Sequence, residues 1–193
     1  LWLSFVAGPY VESHAHQDQG AFNLFRNDWL AVTENIFTHS GIQQGTDVHN
    51  TLRFENGATT IPQNESTSSM TVNDSGGTLH VVANLTPAYA SSGVVNSWQR
   101  TLDFDALGLT VSDVWSAAGG VSAVFQINVP GLPSISGGVA TAGALRIRTL
   151  VPANPALSVV DWHSVDATEF NSGYKVEIRG GAGSYVVRLE LMD

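Results

Sequence analysis

The chain has 193 residues, a net charge of −9 and no cysteine; it is long enough for one domain with a sizeable core, and a disulfide scaffold or thiolate metal site is excluded. Hydrophobic residues make up 43% and charged ones 13%, with 19 glycines, a balance that excludes a disordered chain and suits strands joined by tight turns. The acidic balance argues against nucleic acid as a partner, and no apolar run is long enough for a membrane span.

Residues 3–7 are a short apolar strand candidate closed by the turn pair Gly8-Pro9. The opening residues lack the basic flank and cleavage pattern of a signal peptide, and a start at Leu1 without Met leads us to expect a piece of a longer protein. Next comes Ser13-His14-Ala15-His16-Gln17-Asp18-Gln19-Gly20. In an extended chain His14, His16 and Asp18 share one face. A dry core would place Val, Ile or Leu there, so that face is either a wet strand edge or a polar site for metal or proton transfer.

Phe22, Leu24 and the stem of Arg26 alternate with Asn23 and Phe25, Asn27-Asp28 signals a turn, and residues 29–33 return as a second strand ending at Glu34. Residues 38–47 are polar and glycine-punctuated, a loop, and residues 48–54 read as a strand that opens on His49. Residues 55–77 read as surface loops around one weak strand near 69–72. Longer strands are predicted over 78–84, 94–104, 108–115, 121–129, 143–150, 157–162, 174–180 and 184–191. Most keep a period of two, as in Val121, Ala123, Phe125 and Ile127 against Ser122, Gln126 and Asn128. No long segment keeps a 3.6-residue period. The fold class is therefore all-β: a large antiparallel β-sandwich with little or no helix, one domain over 1–193. The proline-rich stretches 130–133 and 152–155 are connections inside it, since strand patterning resumes after each.

Without cysteine, a metal must be held by imidazole and carboxylate, and a zinc-type site needs three or four such ligands. His16 sits just before the first hairpin strand, Glu34 ends the second and His49 opens a third, so antiparallel pairing could gather them at one end of a sheet. Taken singly, Glu34 reads as a strand-end charge and His49 as a turn-flanking polar residue. Seven of the eight basic residues are Arg, and Arg26, Arg53 and Arg100 are candidates for carboxylate or sulfate contacts, or else exposed solvating groups. Trp98, Trp115 and Trp162 would stack on sugar rings if they are exposed.

The string from Ser13 through Phe25, the Asp28-Trp29-Leu30-Ala31-Val32-Thr33-Glu34 strand and His49-Asn50-Thr51-Leu52 together resemble the central block of heparinase II/III-like polysaccharide lyases and the related alginate and oligoalginate lyases. Residues 95–105 resemble their sandwich. The resemblance implies that His14 is catalytic, lining the cleft, and that His16, Glu34 and His49 hold one divalent metal ion, usually zinc. It further implies an acidic polysaccharide cleaved by β-elimination, an N-terminal helical domain that bears the main catalytic Tyr, Asn and His, and a periplasmic or secreted bacterial location. Glu34 stands where that family usually has Asp, and residues 38–48 contain no counterpart of the tyrosine that related lyases carry there.

Two other classes are compatible with the residues. One is a non-catalytic, metal-stabilised carbohydrate-binding or structural sandwich. The other is a cupin, whose first metal motif Gly8 with His14-Ala15-His16 matches, although the acid expected a few residues later is absent: positions 20 and 21 are Gly and Ala. His39, His80, His163, Asp103, Asp105 and Asp161 follow no ligand spacing and are expected to be structural or exposed.

Overall fold

The alternating segments pair into antiparallel sheets whose apolar sides face one another. The structure, a computed structural model, describes residues 1–8, 15–32, 35–36 (backbone), 44–64 and 66–192. In chain order the strands are β1 (Trp2–Phe5), β2 (Phe22–Arg26), β3 (Asp28–Ala31), β4 (Asn35–Ile36), β5 (Leu52–Asn56), β6 (Thr59–Thr60), β7 (Ser69–Ser75), β8 (Thr78–Asn84) and β9 (Val95–Asp105). They continue with β10 (Gly108–Ala117), β11 (Val121–Val129), β12 (Ser134–Ser136), β13 (Val139–Ala142), β14 (Leu145–Val151), β15 (Ala156–Asp161), β16 (Phe170–Ser172), β17 (Tyr174–Arg179) and β18 (Ser184–Leu191).

An eight-stranded sheet, ordered β12-β13-β14-β18-β10-β9-β8-β7, packs on a five-stranded one, β15-β17-β11-β5-β6. The first sends Val81, Trp98, Leu102, Leu109, Val111, Ile147 and Val187 inward, and the second sends Leu52, Phe54, Phe125, Ile127, Val176 and Ile178 to meet them. A three-stranded sheet, β1-β2-β3, extends this core through Phe22, Leu24, Leu30 and Ala31. The all-β sandwich read from the alternation is the fold observed.

The outer side of the five-stranded sheet is polar yet buried. Arg53, Glu55, Gln126, Asn128, Lys175 and Glu177 alternate with the core residues of β5, β11 and β17, and each is nearly closed off from solvent. Their charges are mutually paired: Arg53 Nη2 meets Glu55 at 2.6 Å and Glu177 at 2.9 Å, Lys175 Nζ meets Glu177 at 3.1 Å, and Arg179 Nη1 meets Glu55 at 2.7 Å. Such a face is tolerated only because every charge finds a partner.

Four local expectations are corrected. The predicted strand over 48–54 begins only at Leu52, because residues Thr46–Val48 form a 3-10 turn whose C-cap is His49. The segment around His16 and Asp18 is not a strand: it is irregular and closes in a turn where the Ala21 N–H donates to the Asp18 carbonyl at 2.8 Å. The strand over 157–162 stops at Asp161, whose carboxylate caps a single helical turn, α1 (Trp162–Val165). Within 55–77 the weak strand is a full one, β7, which runs to Ser75 as the edge of the large sheet.

Candidate functional site

Two of the expected ligands meet. Nδ1 of His16 lies 3.2 Å from Nε2 of His49, although 33 residues separate them. The strand register does not produce this contact. Two short irregular segments do, each pinned by backbone and amide hydrogen bonds.

The His49 segment lies on the buried polar side of the five-stranded sheet. Gln126 donates from Nε2 to the His49 carbonyl at 2.8 Å and also to the Thr46 carbonyl, while Asn128 Nδ2 donates to the Val48 carbonyl at 2.9 Å. The Asn50 side chain accepts from the Asn128 N–H at 2.6 Å and donates to the Phe22 carbonyl at 2.8 Å, tying this turn to β2. The His16 segment is held by paired glutamines: Gln19 N–H donates to Gln63 Oε1 at 2.9 Å, Gln63 Nε2 donates back to the Gln19 carbonyl at 2.9 Å, and the Gln63 N–H donates to Gln17 Oε1 at 3.1 Å. Gly20 ends the segment at φ +83, where an added Cβ would stand 2.6 Å from the Trp98 ring and 2.7 Å from Leu85. Only glycine fits there, because both the backbone angle and the space exclude a side chain.

Buried groups join the two segments: Thr51 Oγ1 donates to the Gln19 carbonyl at 3.1 Å, and Arg100 reaches both. Arg100 Nη1 donates to the Gly20 carbonyl at 2.6 Å and to the Asn50 carbonyl at 3.3 Å, while its other nitrogens grip Asp113 at 2.9 and 2.7 Å. Nothing in the sequence marks this role, since Arg100 sits in a strand whose neighbouring inward residues are Trp98 and Leu102. The only hint for the glutamine and asparagine clamps is the polar pair Gln126 and Asn128 in an otherwise apolar run.

The electrostatics favour neutral imidazole. His49 is 4% exposed, and its pKa is pushed down to about 3, first by burial and then by the charge His16 can carry. Half-buried Asp18 is pushed the other way: burial raises its pKa, and the nearby His16 only partly offsets that. A buried histidine that stays uncharged offers a lone pair to a metal ion without first losing a proton.

The pair also fits the dimensions of a metal. Two imidazole nitrogens on one tetrahedral zinc, each roughly 2.0–2.1 Å from it, stand roughly 3.3–3.4 Å apart, close to the 3.2 Å between these rings. Among the described residues no group of three or more His, Asp or Glu side chains is assembled for a metal. His14 and Glu34, the expected catalytic residue and third ligand, lie outside the described residues.

The other candidates divide. Arg53 and Arg100 are buried in ion pairs and have no solvent-facing role, whereas Arg26 is exposed and makes no ion pair among the described residues. Trp98, Trp115 and Trp162 are 0%, 8% and 3% exposed, so they are core residues and not sugar platforms. The exposed indoles are Trp2 and Trp29. His80 pairs with Asp103 at 2.6 Å on the solvent side of the large sheet, and His163 Nδ1 contacts the Phe170 carbonyl at 2.9 Å, both structural as expected.

No family model and no curated protein matches the sequence. Solved structures do match the fold. A heparinase III gene product with methylated lysines superposes with a TM-score of 0.74 at 14% identity, covering 97% of this chain and 32% of that one. The fold is heparinase-like. A second heparinase III crystal structure superposes with a TM-score of 0.68 at 17% identity, covering 93% of this chain and 30% of that one. The heparinase-like sandwich thus spans about a third of the length of the proteins it matches, and at this identity the likeness is one of fold. None of its described helices is long and apolar enough to cross a membrane.

Proposed function

We infer that this chain is the sandwich part of a polysaccharide lyase that cleaves a uronic-acid-containing polysaccharide by β-elimination, with a structural metal centre at His16, Glu34 and His49. The observation that carries the reading is the 3.2 Å approach of His16 and His49 in a heparinase-like fold, at the two histidines that the sequence resemblance names as ligands. The donor set, two imidazoles and a carboxylate with no thiolate, suits zinc.

The ion, when bound, would act as a cross-link that fixes the loop geometry beside the cleft. The rest of the work belongs to side chains. Elimination needs a base for the C5 proton, a positive or hydrogen-bonding partner for the uronate carboxylate, and an acid for the leaving O4. His14, two residues from His16 in the sequence, serves as the carboxylate partner or proton shuttle. The base and acid come from a helical domain of the kind the resemblance implies, and a polysaccharide substrate places the enzyme in the periplasm or outside the cell. Trp98, Trp115 and Trp162 lend no support to a purely carbohydrate-binding module, because all three are buried.

Metal content separates this reading from its competitors. The purified chain should hold one equivalent of zinc, and His16→Ala, Glu34→Ala and His49→Ala should each lose it. Stoichiometric zinc in all three variants would overturn the assignment.

A further inference from the structure

The outer side of the β1-β2-β3 sheet carries three aromatic rings that the core does not use. Trp2 on β1 pairs in register with Phe25 on β2, which pairs with Trp29 on β3. Their ring centroids are 6.2 Å apart for Trp2 and Trp29 and 5.3 Å for Phe25 and Trp29, each pair inclined at 74°. Trp2 is 52% exposed and Trp29 41%, although the opposite side of the same sheet is packed into the core. At the end of this row the hairpin turn presents Arg26, Asn27 and Asp28, all exposed, with Asn27 at φ 61.

We propose that this face is a glycan-binding site, separate from the histidine centre, in which an acidic pyranose stacks on Trp2 and Trp29 while Arg26 takes its carboxylate or sulfate. Size decides between a sugar and a protein partner. The two indoles leave on the order of 230 Å² open, and even with exposed Leu1 and Val6 the patch stays below about half of the roughly 800 Å² per partner that a stable protein interface buries. One or two sugar rings match it. Two indoles set at a steep angle form a corner, with one ring as floor and the other as wall, and the planar polar groups at the rim supply the hydrogen bonds a sugar edge needs. Arg26 supplies the charge. Of the three arginines considered for anionic ligands it alone is exposed, and no carboxylate among the described residues pairs with it. A free guanidinium fits carboxylate or sulfate through paired N–H donors. The turn lies six residues beyond Gly20 along β2, on the order of 20 Å of extended chain, which separates the aromatic face from the histidine pair.

The choice of an acidic sugar rests on the lyase reading; the aromatic site itself does not. The test is native affinity electrophoresis of the intact chain in gels containing alginate, heparan sulfate or neutral dextran, with Trp2→Ala, Trp29→Ala and Arg26→Ala. Retardation by alginate assigns a carboxylate to Arg26, and retardation by heparan sulfate alone assigns a sulfate. Each tryptophan variant should weaken retardation roughly tenfold and stay folded with zinc content unchanged, because these side chains lie on the side of the sheet away from the core. Equal retardation of wild type and both tryptophan variants would overturn the site, and retardation by dextran equal to that by the acidic glycans would overturn the acidic sugar and the role of Arg26. A wild-type dimer in sedimentation that Trp29→Ala dissociates would also overturn it and assign the face to protein contact. Failure of the lyase reading shows separately, as absence of the unsaturated ultraviolet-absorbing product from the full-length enzyme.

Discussion

Arg100 and Asp113 stand directly opposite each other on β9 and β10, both fully buried, and their side chains meet through two bonds of 2.9 and 2.7 Å inside an otherwise apolar core. The pair is further enclosed by the rings of Trp98 and Phe125, 5.4 and 5.2 Å from the guanidinium. Trp98 Nε1 donates to Asp113 as well, at 2.7 Å, and the remaining arginine donors hold the Gly20 and Asn50 carbonyls. A charge so placed is costly to leave alone.

Arg100→Met is therefore expected to destabilise the chain by about 3–5 kcal/mol, because it strands the Asp113 carboxylate and frees two carbonyls at once. Arg100→Met with Asp113→Leu should recover part of that loss, since removing both charges relieves the desolvation cost. Denaturant unfolding of the two variants checks this. The double variant should still bind zinc more weakly than wild type, because neither side chain can tie the His16 segment to the His49 segment.

Gln126 acts on one segment only. Its Nε2 serves two carbonyls of the turn that carries His49, and its Oε1 accepts from Arg53 at 2.6 Å. Gln126→Leu keeps the volume and loses all three bonds, so a stability loss of about 1–3 kcal/mol is expected. Zinc affinity, read by competition with a chromophoric chelator, should fall about 10–100-fold, the usual effect of removing a group that orients a metal ligand. Unchanged affinity in a folded Gln126→Leu protein would show that the turn holds His49 without it.

The charged face predicts acid sensitivity. Burial alone would raise the pKa of Glu177, but Lys175 and Arg53 outweigh it and bring it to about 2 from an ordinary 4.5. Glu55 is lowered in the same way, its burial overcome by hydrogen bonds from Arg179 and Arg53. A carboxylate whose pKa is lower in the folded chain contributes its full stabilisation above the unfolded value and loses it as pH falls through the folded one. Stability should accordingly decline between roughly pH 4.5 and pH 2. Glu177→Gln should be less stable than wild type at pH 7 and should show a shallower decline across that window, measured by urea unfolding at a series of pH values.

Strand alternation made most of the sandwich readable, because burial on one side of a sheet writes a period of two into the sequence, as along 121–129. His16 and His49, expected at the ends of paired strands, do meet, but neither lies in a strand. What joins them is a set of amide and guanidinium clamps from residues distant in the chain, Gln63, Gln126, Asn128 and Arg100. A single polar residue in a strand carries no mark that tells a solvent-facing side chain from a buried one that satisfies a carbonyl. Trp98 and Trp115 show the converse: an indole in a strand is sugar platform or core depending on which side of the pleat it occupies, and Trp2 and Trp29 took the outer side.

The roles of His14 and His16 can be told apart by what each loss does. The contact of His16 with His49 at 3.2 Å has the spacing of two ligands on one ion, and the proposed set of His16, Glu34 and His49 would require no fourth protein donor, since water can fill the remaining position. His14 stands outside that ligand set, and proton transfer requires a histidine whose lone pair no metal occupies. In the full-length enzyme His14→Ala should abolish turnover while zinc content and thermal midpoint stay at wild-type values. His16→Ala should lose zinc, stability and turnover together, because an ion that binds only the folded chain stabilises it by mass action. Metal analysis, thermal unfolding and ultraviolet detection of the unsaturated product on the same preparations read all three. Release of the ion by His14→Ala would make His14 and His16 a two-histidine chelate of the cupin kind, and the lyase assignment of this centre would fall with it.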